Sequence, residues 1–401
     1  EKQQKKGQHF QDTQGDLYEY LLDATNQAGK NGQFRTPRHI IQLMCEIINP
    51  NVNDKICDLT SGTAGFLVGA YQHILTKNST EKKKVKDENG LLRSVAGDKL
   101  TSAQKKKLRE QTFYGFDIDQ TMVRIGLMNL IMHGITEPKI AHLDTLSNAY
   151  EDFEIDKQRS KKSSSKTLLS SKTKYKPDEQ YDTILANPPF TGRIDKGGLS
   201  AKLGRIETSQ SELLFLDRII HMLKPNGKAA VIIPEGVLFG SGKAQNKTRE
   251  ILLKDCCLEA VISLPSGVFQ PYTGVKTSIL IFTKKQLYSD KYHTTKVWFY
   301  GMDSDGYSLD THRKKLKDNP LPLVIKDWSE RNKKAQSNKK LKHFYIPIKD
   351  IIANGLDLSY NQYKKYVQEN EKYEQPKELL AQLIEFEKEI LNDMNYLTGI
   401  L

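Results

Sequence analysis

No apolar run in the 401 residues approaches the ~20 needed to cross a bilayer, and no signal-peptide pattern opens the chain. A membrane partner is therefore not expected. Cysteine is scarce. Cys45, Cys57, Cys256 and Cys257 are the whole set; none shows C-x-x-C spacing, and an adjacent pair rarely bridges. Metal-ribbon and disulfide-framework folds are excluded, and the four read as reduced thiols of a cytoplasmic protein. The Gly-rich turn at 58–65 lacks the lysine of a phosphate-binding loop and the full G-x-G-x-x-G spacing, which argues against triphosphate and dinucleotide ligands. The first residue is Glu1, not Met, and we read the chain as lacking something upstream.

What is present is a core and a localised charge. Hydrophobic residues make up 37% of the chain, enough for one large domain and a smaller one. The net charge of +12 sits in two segments, 77–110 and 157–180, each carrying +6. Rich in Lys, Ser and Thr, both read as flexible basic insertions. They are either arms for a polyanion or solvated loops.

Along the chain, 1–30 reads as an amphipathic helical lead-in with Tyr18, Leu21 and Leu22 on one side. "RHIIQLMCEII" (38–48) has helical spacing behind Pro37. "KICDLTSGTAGFLVGAYQHIL" reads as strand, Gly-rich turn and helix. "TFYGFDID" is a strand, followed by a helix ending near Gly134. "YDTILANPPF" is a strand ending in a Pro-Pro turn. "SELLFLDRIIHMLKPNG" is a helix with a Pro-Asn-Gly stop. "KAAVIIP", "LEAVISLP" and "TSILIFTKK" are strands. This alternation predicts an α/β fold with a mostly parallel sheet covered by helices on both faces. Ligands in such folds lie beyond the carboxyl ends of the strands, where "DLTSGTAG" and "NPPF" both fall.

In "DLTSGTAG", Gly62 and Gly65 let the backbone approach a ligand, and Asp58 is placed to hold an ammonium. A cofactor with an adenosine half and a small zwitterionic half fits; a plain structural turn is the alternative. In "YGFDID", Asp117 is the better candidate for ribose hydroxyls, with Asp119 as the cap of the next helix. Asn187-Pro188-Pro189-Phe190 is the specific signal. Its prolines remove two backbone donors and fix a rigid outline. Asn187 supplies a neutral carbonyl acceptor, and Phe190 a flat apolar face. These suit a planar ring with an exocyclic amino group. Two acceptors, the Asn187 side chain and the Pro188 carbonyl, would hold its N–H bonds while the nitrogen attacks a methyl group.

On these motifs the chain resembles the modification subunit of type I restriction–modification systems, an S-adenosylmethionine-dependent, adenine-specific DNA methyltransferase of the gamma motif order. "GQFRTPRHI", "DLTSGTAGFL" and "NPPF" match its cofactor and catalytic motifs. "LKPNGKAAVIIPEGVLF", "LEAVISLPSGVF" and "TGVKTSILIF" match its later strands, and "GYSLD" and "LDLSYNQY" its tail. The resemblance runs from about Gly15 to the C-terminus. It implies a Rossmann-like methyltransferase fold, double-stranded DNA as substrate, and specificity and restriction subunits as partners. It also implies residue roles. Phe34, Thr36 and Pro37 would border the methionine half of the cofactor. Asp58, Gly62, Thr63 and Gly65 would line it, Asp117 would hold the ribose, and Asp144 would contact the adenine ring. Phe190 and Phe269 would stack on a flipped target base, extruded because its amino group is inaccessible inside a duplex.

The turn departs from the family in its Leu59-Thr60-Ser61 and in Ala64, where glycine is frequent. N-P-P-F also serves RNA and protein-glutamine methyltransferases, and the altered turn keeps open a catalytically impaired DNA-binding subunit. The expected organisation is a lead-in at 1–30 (the remnant of a helical domain), a catalytic domain at 31–290, and a C-terminal region at 291–401. The last ends in a docking helix at 376–401, where Leu379, Leu383, Phe386, Ile390, Leu397 and Ile400 follow 3–4 spacing interrupted by Asp393. That tail is thin for reading DNA sequence, so specificity is expected from another protein.

Overall fold

The computed structural model describes residues 35–153, 179–190, 192, 194, 196–332 and 342–365, and in the C-terminal segment residues 380, 383–388, 390–391 and 394. The lead-in at 1–30 lies outside these residues.

The order is α1 (Arg38–Ile48), β1 (Ile56–Asp58), α2 (Gly65–Lys77), β2 (Val85–Lys86), β3 (Leu92–Arg93), α3 (Ser102–Glu110), β4 (Phe113–Asp117), α4 (Gln120–Met132), β5 (Lys139–His142), β6 (Tyr181–Ala186), α5 (Ser211–Met222), β7 (Leu223–Pro234), α6 (Gly236–Phe239), α7 (Lys243–Asp255), β8 (Cys256–Ser263), β9 (Thr277–Lys284), β10 (Lys296–Gly301), α8 (Leu321–Glu330) and β11 (His343–Pro347). Nine strands form one sheet in the order β11-β10-β8-β9-β7-β6-β1-β4-β5. From β5 to β7 the pairings are all parallel. β9 then runs antiparallel between β7 and β8, and β10 returns parallel to β8. The carboxyl ends of β1, β4, β6, β7 and β8 therefore share one edge.

Both faces of the sheet are covered because alternate side chains point to opposite sides. On β1, Ile56 joins one apolar cluster with α1 and α2, while Cys57 joins the other with α5 and α7. On β6, Ile184 and Leu185 divide in the same way, and both are fully buried. Each such side chain contributes about 1.5–3 kcal/mol relative to exposure. The Pro-Asn-Gly expected to stop α5 is instead a bulge in β7. Tyr181 pairs with Leu223, the next pair is Thr183 with Lys228, and Asn226 sits at φ 63°.

The structure corrects two expectations. The first basic insertion is not a flexible loop. Leu91, Leu100 and Leu108 are buried, and α3 begins with a capping box between Thr101 and Gln104. Thr76 on α2 and Ser79 just past its end clasp the segment, accepting the backbone N–H groups of Ser94 and Gly97, both at 2.9 Å. Its helix α3 sits at the starting ends of the strands, where Lys107 Nζ donates to the Asn53 carbonyl at 3.2 Å and, just past the helix, Ile56 N donates to Thr112 O at 2.8 Å. That is the edge opposite "NPPF". The second insertion lies almost wholly outside the described residues. Nor is there a break at 290: β10 and β11, which their Lys-rich flanks concealed, complete the same sheet. The compact body ends at Tyr363, and a second unit begins at Lys364. In that unit Leu383, Phe386 and Ile390 are 60–63% exposed; Leu379, Asp393, Leu397 and Ile400 lie outside the described residues.

Candidate active site

The Gly-rich turn leaves β1 at Asp58 and enters α2 at Gly65. Gly62 adopts φ +50° and Ala64 φ +65°, so the alanine that replaces the usual glycine stands in the left-handed region. Asp58 is 1% exposed and accepts the Thr60 N–H at 3.1 Å. Burial, followed by the nearby Asp117 charge, pushes its carboxyl from 3.8 up to about 8. The departing residues Leu59, Thr60 and Ser61 keep the turn intact. Leu59 enters the core at 2% exposure, and Ser61 N donates to Phe116 O at 2.8 Å.

Asp119 is the expected cap, and Asp117 ties two backbone segments together. The Asp117 carboxylate accepts the N–H of Gly62 at 2.8 Å and of Asp119 at 2.9 Å, which ties the tip of β4 to the turn. Burial raises its pKa. Asp119 caps α4, accepting Thr121 N at 2.7 Å and Met122 N at 3.4 Å. Asp144, just past β5, accepts Leu146 N at 2.9 Å. Two further residues hold the turn and carry no motif signal. Asn129 on α4 donates to Thr63 O at 2.8 Å. Gly126 lets α4 approach so closely that a Cβ there would stand 3.0 Å from Gly62 O.

Asn187 follows β6 on the same edge. Its Nδ2 donates to Thr36 Oγ1 at 3.0 Å, which joins the first motif to the N-P-P-F tetrapeptide across 151 positions of sequence. Its Oδ1 is buried and has no hydrogen-bond partner among the described residues. Pro37, beside Thr36, precedes α1 and its carbonyl accepts Ile40 N at 3.0 Å and Ile41 N at 3.1 Å. Phe34 lies outside the described residues. Phe190 and Phe269 meet directly, with ring centroids 5.4 Å apart at 83°, and both are buried. They are thus brought together as expected, but edge to face. In this conformation no gap separates them for a base.

Sequence reasoning missed two polar clusters. Just past the tip of β7, Glu235 accepts Ser263 Oγ at 2.9 Å and pairs with Lys276 at 3.0 Å. On α1, His39 meets the fully buried Asp305 at 2.8 Å and stacks on Tyr307 at 4.4 Å, while Arg313 pairs with Asp305 from the other side. Burial acts to raise the Asp305 pKa, but His39 and Arg313 outweigh it and hold the carboxyl below its ordinary range. This is the structural use of "GYSLD": it returns the tail to the helix behind Thr36.

Buried polar atoms are normally satisfied. Here Thr60 Oγ1, Ser61 Oγ and Asn187 Oδ1 have no partner among the described residues, and Asp58 is a buried carboxyl with one backbone N–H. This set fits the cofactor that the resemblance implies. Asp58 suits an ammonium, the two hydroxyls suit a carboxylate, and Asp117 retains lone pairs for ribose hydroxyls.

The chain matches the family model described as N-6 DNA methylase over residues 9–372. It is 32% identical to the EcoEI type I methylase subunit of Escherichia coli, covering 96% of this chain and 68% of that protein. It is 29% identical to the EcoKI methylase subunit of E. coli K12, covering 72% of this chain but only 48% of that protein. The solved modification subunit of a type I enzyme from Vibrio vulnificus superposes with a TM-score of 0.61 at 25% identity, over 86% of this chain and 63% of that one. A chain of a type I restriction–modification assembly does so with a TM-score of 0.63 at 25% identity, over 96% and 70%. The match across nearly the whole chain, with the N-P-P-F tip beside a methyltransferase-type turn, shows that the chain belongs to the N-6 DNA methylase family, among the modification subunits of type I restriction enzymes.

Proposed function

We propose that the chain transfers a methyl group from S-adenosylmethionine to the exocyclic amino group of an adenine extruded from duplex DNA, as the modification subunit of a type I restriction–modification complex. The observation that carries this is the buried, unpartnered Asn187 Oδ1 at the tip of β6. When bound, the cofactor supplies a methyl group activated by a sulfonium sulfur. Asp58, Thr60 and Ser61 hold its amino-acid half, bordered by Phe34, Thr36, Pro37, Gly62, Thr63 and Gly65. Asp117 takes the ribose and Asp144 the adenine ring.

The chain's own residues then work by positioning. Asn187 Oδ1 and the Pro188 carbonyl accept the two N–H bonds of the target amino group. This draws the nitrogen towards a pyramidal geometry and frees its lone pair. No strong base is needed, because the proton leaves after attack. Pro189 stiffens the turn. Phe190 and Phe269 present their faces to the extruded base once their mutual contact opens.

The chain works on double-stranded DNA in the cytoplasm with a specificity subunit, and with a restriction subunit in the full complex. The exposed apolar side chains Leu383, Phe386 and Ile390 form the docking face for a helix of the specificity subunit. Family membership favours DNA adenine over RNA or a protein glutamine, and the polar groups kept in the turn argue against an impaired subunit. The test is expression in a host lacking DNA methylation, with and without the specificity partner, followed by genome-wide mapping of N6-methyladenine. Methylation at one motif only with the partner is expected. The same motif methylated by the chain alone would show that it reads DNA itself. No methyladenine in either strain would contradict the reading.

A further inference from the structure

The Gly-rich turn makes a backbone demand at Ala64. This residue stands at φ 65° and ψ 26°, in the left-handed region that glycine takes freely and a residue with a Cβ does not. Its φ follows from the plane of the Thr63–Ala64 peptide, and that plane is held at both ends. The N–H donates to Ser61 O at 2.7 Å, within the turn itself. The carbonyl, Thr63 O, accepts the Nδ2 N–H of Asn129 at 2.8 Å, from α4 and 66 positions away. A backbone carbonyl can only accept, so this bond requires one orientation of the amide. Asn129 is 1% exposed, and its Oδ1 has no partner among the described residues. Gly126 brings α4 close enough for the bond: a Cβ there would stand 3.0 Å from Gly62 O and 3.4 Å from Ala64 Cβ.

We propose that Asn129 is a positioning residue for S-adenosylmethionine: it clamps the Thr63–Ala64 peptide, so that the turn keeps its binding shape despite a left-handed alanine. Without the clamp Ala64 relaxes towards negative φ, the peptide turns, and binding must first restore the strained turn. The proposal rests on the reading of 58–65 as the cofactor turn. It goes beyond that reading by making cofactor affinity depend on a buried residue of α4 and on which residue stands at 64.

The experiment is a double-mutant cycle between Asn129→Ala and Ala64→Gly, read as cofactor Kd by calorimetric titration of the chain, with a melting curve for each variant. With Ala64 in place, Asn129→Ala is expected to raise Kd about tenfold, the scale of one left-handed penalty. In the Ala64→Gly background the glycine holds the left-handed conformation without a clamp, and the same change should cost less than about threefold. A merely structural role for Asn129 would cost the same in both. If Asn129→Ala does not fold, Asn129→Ser, whose hydroxyl ends one bond short of the amide nitrogen, takes its place. The second readout is single-turnover methylation of a duplex carrying the recognition site, by the chain assembled with its specificity partner at saturating cofactor. There Asn129→Ala should lose less than about twofold, because the clamp acts on affinity and not on transfer. An unchanged Kd, an equal loss in both backgrounds, or a loss confined to the transfer rate would overturn the proposal. Failure of the unaltered chain to bind S-adenosylmethionine would instead sink the cofactor reading beneath it.

Discussion

The two halves of the site are built differently. The cofactor half is assembled from acids and backbone groups already in place. Asp117 holds Gly62 and Asp119, Asn129 holds Thr63, and Asp58 is buried beneath the turn. The target half is occupied by the protein's own side chains, with Phe190 and Phe269 packed on each other. On the proposed reading the two ligands would meet different surfaces. The cofactor would enter a polar turn whose groups are already in place, whereas an extruded base would have to displace the contact between Phe190 and Phe269.

Four changes would break or sharpen this contrast. Asn187→Ala has the largest effect, since it strips the acceptor from the target half alone. Methyl transfer should fall about 10²–10³-fold with cofactor Kd unchanged in a calorimetric titration. Gly126→Ala attacks the cofactor half only. Its Cβ would stand 3.0 Å from Gly62 O and 2.8 Å from Ile140 Cδ1, and cofactor affinity should fall about tenfold. Phe269→Leu opens the aromatic contact without emptying the core. A duplex with 2-aminopurine at the target position should show altered base stacking, and transfer should fall by several-fold to about tenfold at unchanged cofactor Kd. The smallest effect belongs to Lys105→Glu with Lys106→Glu. These lie on α3 at the far edge of the sheet, beyond the screening length of about 10 Å at 0.1 M salt. Methylation should stay within about twofold; a larger loss would place DNA on that edge.

Much of this could be read from local pattern. The alternation of a strand and the logic of a helix cap separated Asp117 from Asp119. The proline pair announced the tip of β6, and helical spacing found α1 to the residue. What stayed hidden is long-range or averaged. Thr36 and Asn187 are 151 positions apart, and His39 and Asp305 are 266 apart; no local pattern links them. Asn129 looks like any helix asparagine. The first basic insertion misled because its Lys content masks Leu91, Leu100 and Leu108, three well-spaced leucines that suffice to anchor it. Lys-rich neighbours hid β10 and β11 in the same way, though "VWFY" is a strand-like run.

Asp58 offers the most direct test of the preorganised half. Its carboxyl is raised by burial from 3.8 to about 8. It therefore keeps a proton that the unfolded chain has already lost, and the stability this gives is full below about pH 4 and is lost as pH climbs towards 8. A bound ammonium reverses the preference and draws Asp58 to its ionised form, so below about pH 8 binding must expel a proton. The measurement is calorimetric titration of the chain with S-adenosylmethionine, without DNA, at pH 6.5, where the ligand's amino group is an ammonium, in two buffers of different ionisation enthalpy. The expected result is binding with close to one proton released, and binding with no proton released in Asp58→Asn. No binding without DNA, or binding with no proton released by the unaltered chain, would contradict a preformed cofactor half built on Asp58.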